Sequence, residues 1–99
     1  MLNQVILCGR IIEIDNNSKT ITIKVPRNEK DDNGEYLNDI IDIRVISDNI
    51  FNSVLEYCTI DTMIGAKGHL ARENTKDMVT IIADRITFLT SKQNKEINY

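Results

Sequence analysis

Side chains able to do covalent chemistry are few and scattered. His69 is the single histidine in 99 residues, and Cys8 and Cys58 stand at neither metal-ligand nor redox spacing. No nucleophile lies beside a base, and there is no Gly-rich phosphate loop. The expectation is a protein without catalytic residues, metal or cofactor, carrying two buried, reduced thiols. What the chain does offer is spaced positive charge, at Arg10, Lys24, Arg27, Lys30, Arg44, Lys67, Arg72 and Lys76. Against it stands a net charge of −3, from twelve Lys and Arg and fifteen Asp and Glu. That balance argues against coating nucleic acid by bulk charge but leaves room for a local basic groove. Aromatics are scarce: Tyr36, Phe51, Tyr57, Phe88 and Tyr99, with no Trp.

A chain of this length supports one domain with one modest core. With 41% hydrophobic residues, one Pro and four Gly, it is neither disordered, collagen-like nor a disulfide scaffold. No apolar run approaches the ~20 residues of a membrane span. Val5-Ile6-Leu7-Cys8 is too short for a signal-peptide core and has no basic region before it. The expected location is therefore cytoplasmic, away from membranes.

The elements that must position these charges read mostly as strands, in keeping with the abundance of isoleucine. Residues 2–14 form a first strand with Val5, Leu7, Gly9 and Ile11 on one face and Ile6, Cys8 and Arg10 on the other, covered on both sides or bent at Gly9. After the turn cluster at 15–18, Thr20–Val25 alternates with Ile21, Ile23 and Val25 inward, and Pro26 is expected to end it. Residues 27–38 read as a long hairpin loop around Asn33-Gly34. Residues 39–46 are a third strand, with Ile41, Ile43 and Val45 inward and Ile40, Asp42, Arg44 and Ile46 outward. Ser47-Asp48-Asn49 offers a helix cap, and Ile50, Phe51, Val54, Leu55 and Cys58 follow at helical spacing. A fourth strand spans 62–73, with Gly65 and Gly68 marking a bulge or bend; a turn follows at 74–77 and a fifth strand at 78–89.

Strands this short hide their apolar faces best by closing on themselves. The order β-β-β-α-β-β thus predicts an all-β protein, a five-stranded OB-fold barrel with one short helix between strands 3 and 4. Residues 1–90 make up the domain, and 91–99 a flexible C-terminal tail. Strand order alone also fits other small barrels.

Several segments resemble bacterial single-stranded DNA-binding proteins. MLNQVILCGRI is similar to the family's opening, and Ile21 to Val25 to its second strand. Asn33-Gly34-Glu35 falls at its hairpin, Asp39–Val45 at its third strand, Val54–Gly68 at its helix and fourth strand, and Ile82–Leu89 at its A-D-x-V-x-F-L finish. The resemblance covers residues 1–92 with one shortened turn after the first strand. It implies single-stranded DNA binding in replication, repair or recombination, through a basic groove and with little sequence specificity. The expected partners are single-stranded DNA, copies of the same chain as a homodimer or homotetramer, and replication proteins. Positions where the family places stacking aromatics fall near Ile40, Ile46 and Thr75, none aromatic here, and the end at Lys95-Glu96-Ile97-Asn98-Tyr99 lacks the acidic, Phe-tipped tail. Both departures point to a reduced relative such as primosomal replication protein N.

The G-R pair of the resemblance makes Arg10 a phosphate contact. Lys24, Arg27 and Lys30 lead into the hairpin that lines OB-fold grooves, and Arg44 sits on the strand-three face that such folds use for oligonucleotides. Lys67, Arg72 and Lys76 follow strand four and its turn, ahead of His69, which is more often a plain surface residue. Each of these cations could equally be an ordinary solvated side chain paired with a carboxylate. Tyr36, outside the expected core, is the stacking candidate, whereas Phe51, Tyr57 and Phe88 fall at core spacing. The alternative is an OB-fold interaction or primosome-assembly module that uses exposed Ile40 and Ile46 to bind protein.

Overall fold

A computed structural model describes residues 2–72 and 78–90. Its elements run β1 (Val5–Asp15), β2 (Thr20–Lys30), β3 (Tyr36–Arg44), α1 (Asp48–Tyr57), β4 (Met63–Arg72) and β5 (Val79–Phe88). The strands close into a barrel in the order β1-β2-β3-β5-β4, antiparallel at every seam except the parallel β3–β5 pair. This is the expected OB-fold, with the helix between β3 and β4.

The period-two pattern explains the core. Ile11 on β1, Ile21 and Ile23 on β2, Ile43 on β3, Val45 just beyond it and Ile64 on β4 are fully buried. Burying such a side chain contributes roughly 1.5–3 kcal/mol. Phe51 and Val54 of α1, and Cys58 just after it, join the same cluster. Ser47 caps the helix, its hydroxyl accepting from the Ile50 N–H at 3.4 Å. Leu55, placed by its spacing on the apolar side, is instead 38% exposed. One turn after Phe51, it falls at the edge of the face that meets the barrel.

Three expectations about the strands need correction. β2 does not stop at Pro26 but continues to Lys30, because the register shifts between Pro26 and Lys30, and a bulge tolerates a residue without an N–H. The hairpin is thus a two-stranded ribbon with a tight turn, not a long loop. Asp31 organises the turn, its carboxylate accepting from the Asn33 and Glu35 N–H groups, and Gly34 takes a φ of 82°. β3 accordingly begins at Tyr36 and ends at Arg44, with Val45 buried just beyond it. Third, β1 is irregular between Ile11 and Glu13, not at Gly9, whereas the bulge expected at the glycines of β4 is present, across from Gly68. There β5 fits the extra residue Asp84 between the partners of Lys67 and Gly68. A Cβ on Gly68 would lie 2.2 Å from the Ile82 carbonyl oxygen, so only glycine admits this approach.

The two cysteines differ. Cys58 is buried as expected, but Cys8 is exposed, because its side chain falls on the outward face of β1 with Ile6 and Arg10. No described helix is long and apolar enough to cross a membrane. The tail at 91–99 and Lys76 lie outside the described residues.

Candidate nucleic-acid interface

Register decides which cations meet. Arg10 on β1 stands opposite Lys24 on β2, and Lys24 opposite Ile40 on β3, so the three form one outward row across three strands. The Arg10 guanidinium also donates to the Asp61 carbonyl at 3.1 Å, which fixes its direction beside the β4 entry. Beside this row, β3 and β5 pair only at Ile43–Ile81 and Arg44–Ile82. Upstream of that seam they part, leaving a groove of about 430 Å3. Ile40, Met78 and Val79 line it and are 59%, 75% and 55% exposed. Its polar lining includes Thr20, Asp42 and Arg44. Arg72 stands opposite Val79 across the β4–β5 seam, next to a residue that lines the groove.

Asp42 is the acid among the described residues that line the groove. The buried Thr22 hydroxyl donates to its carboxylate at 2.7 Å, across the β2–β3 seam where the two residues are register partners.

The remaining candidates separate from the row. Arg27 has the parity of Val25, opposite to that of Lys24, and its guanidinium is spent on Asp39, with contacts of 2.6–3.0 Å. The pairing holds the Asp39 carboxyl below its ordinary value of 3.8, chiefly through the hydrogen bond from Arg27, and raises Arg27 in turn. Lys30 and Tyr36 are register partners at the end of the ribbon, with the Lys30 ammonium over the Tyr36 ring at 5.0 Å from its centroid. Tyr36 remains 58% exposed, as a stacking residue must be. Phe51 is buried and Phe88 packs against the core as their spacing predicts, but Tyr57, the last residue of α1, is 38% exposed and meets the Phe88 ring, with centroids 5.8 Å apart.

Lys67 lies on another part of the surface. It faces Ile6 on β1 and Arg85 on β5. Sequence reasoning passed over Arg85, because simple alternation along β5 does not anticipate the bulge that brings it opposite Lys67. His69 binds Asp84 at 2.9 Å in the same bulge and is engaged there. Lys19, also passed over, pairs with Asp48 at the helix start, away from the groove. Among the described residues no cluster of three or more His, Cys, Asp or Glu could hold a metal.

No protein-family model and no curated protein matches the sequence. Solved structures do. The mitochondrial single-stranded DNA-binding protein Rim1 of S. cerevisiae superposes with a TM-score of 0.73 at 15% identity, over 92% of this chain and 98% of that one. An SSB from Plasmodium falciparum, solved in complex with ssDNA, gives 0.64 at 23% identity over 91% and 96%. The N-terminal domain of PriB from Thermoanaerobacter tencongensis, a dimeric structure, gives 0.57 at 20% identity over 89% and 97%. By barrel order, helix placement and near-complete coverage, the chain has the fold of these proteins: it is an OB-fold domain.

Proposed function

We propose that the chain binds single-stranded DNA across β1, β2 and β3 and into the β3–β5 groove, as a non-enzymatic component of replication, repair or recombination in the cytoplasm. The observation that carries this is the row Arg10–Lys24–Ile40 running beside a groove lined by Arg44, with Arg72 opposite its Val79. Cations in a row suit a phosphate backbone, and apolar side chains beside them suit base faces. Four of the nine candidates fall on this surface, namely Arg10, Lys24, Arg44 and Arg72. Lys30 and Tyr36 extend it along the ribbon. Lys67 would serve only a strand that wraps onto the β1–β4–β5 side, and Arg27 serves the hairpin. Lys76 belongs to the reading only as a residue of the β4–β5 connection. Copies of the chain as a dimer or tetramer, and replication proteins, are the further partners in this reading.

A titration of labelled oligo-dT by anisotropy at several salt concentrations tests it. Binding at micromolar concentration or tighter is expected, weakening steeply as salt rises. Absence of binding at low salt would reject the reading.

One observation favours a second reading, a protein-docking module. The groove is lined with aliphatic and Met side chains where rings would stack bases better. That reading predicts a salt-insensitive complex that Ile40→Glu abolishes.

A further inference from the structure

We infer that Asp42 reads bases, giving the groove a preference for guanine over thymine; this rests on the single-stranded DNA reading above. An acid on a surface meant for phosphates is costly unless its oxygens have another purpose. Asp42 lies on the outward face of β3 between Ile40 and Arg44, and it lines the groove. The carboxylate is also held in place. The Thr22 hydroxyl, on an 8%-exposed residue, donates to Oδ1 at 2.7 Å, which anchors that oxygen while leaving acceptor capacity on both oxygens.

A held carboxylate beside apolar walls accepts hydrogen bonds and offers none. The ligand edge complementary to it must donate. Guanine presents two adjacent donors, N1–H and the N2 amine, that match the two oxygens of one carboxylate. Cytosine and adenine present a single amine each. Thymine presents one N–H flanked by two carbonyl oxygens, which the carboxylate repels. The phosphates are kept away from Asp42 by its charge and drawn toward Lys24 and Arg72, which orients the base edge inward. Ile40, Met78 and Val79 cover the base face. The groove volume of about 430 Å3 is within the ~300–1,000 Å3 typical of small-ligand sites.

The test compares oligo-dT with the same length of oligo-dT carrying isolated guanines, by competition at one salt concentration. The native chain should prefer the guanine-containing strand about 5-fold, the lower end of the discrimination of a bidentate base contact in an open groove. Asp42→Asn should reduce that preference to below about 2-fold, read as the ratio of the two affinities whatever happens to oligo-dT binding itself. Thr22→Val keeps the shape of a buried residue and removes the hydroxyl that holds the carboxylate, so it should lower the preference without lowering oligo-dT affinity. Equal binding of both strands by the native chain would overturn the inference and leave the DNA reading standing. So would a preference that survives in Asp42→Asn. Loss of all binding to both strands at low salt would overturn the two together.

Discussion

Lys24 points out of the barrel opposite Ile40, whereas Arg27, three residues later, turns to the other face and grips Asp39. Their charges should therefore behave differently. Lys24→Ala should weaken oligo-dT binding uniformly and lower the salt slope by about 1, measured by anisotropy over a salt series. Arg27→Ala should leave the slope unchanged. The Arg27–Asp39 pair also has a pH signature. Because Asp39 titrates below its ordinary value of 3.8 in the folded chain, its contribution is complete above that value. It is lost as pH falls through the lower, folded value. A carboxyl-resolved NMR titration should place the Asp39 midpoint below 3.8, and Arg27→Ala should raise it. The pair is exposed and screened, so its effect on overall stability is small. The turn carboxylate of Asp15 is held low as well, by the backbone N–H groups of Ser18 and then Asn17, and shares that sign.

At the level of elements, two irregularities do most of the positioning. The β2 register shift after Pro26 carries the ribbon to Lys30 and Tyr36. The β5 bulge at Asp84 sets Arg85 beside Lys67 and gives His69 its partner. Gly68 makes the second possible, since any Cβ there meets the Ile82 backbone. Gly68→Ala should destabilise by about 1–3 kcal/mol, the usual cost of forcing atoms into a packed site. In a domain of this size each kcal/mol lowers the thermal midpoint by about 4–8 °C, so calorimetry will register it. Neither irregularity is visible in hydrophobic alternation. A bulge adds one residue without changing composition, and the sequence alone marks it only by a nearby Pro or Gly.

For the whole molecule, the barrel leaves apolar side chains uncovered along its first segment: Leu2 is 88% exposed and Ile6 74%. Apolar surface of this kind favours self-association, and a two-fold pair is the commonest closed form. Light scattering should report a mass greater than one chain, and a monomer would contradict this expectation. Association would also place two grooves in one particle and raise avidity for a strand long enough to reach both.

Alternation, turn residues and the Ser47 cap were enough to predict the element order and the inward face of β2 and β3, because period-two burial leaves a local trace in the chain. Ile21, Ile23 and Ile43 needed no tertiary information, whereas the burial of Ile11 on β1 and Ile64 on β4 was settled only by barrel closure. Which cations share a surface was decided only by the tertiary structure. Arg10 meets Lys24, Arg27 leaves the row for Asp39, Arg72 stands opposite Val79, and Lys67 finds Arg85, each through cross-strand register. Register depends on closure and bulges between segments distant in sequence, and a one-residue shift sends a side chain to the opposite face. The groove itself follows from β3 and β5 touching at two positions and then parting, a property of the closed barrel that neither strand carries alone.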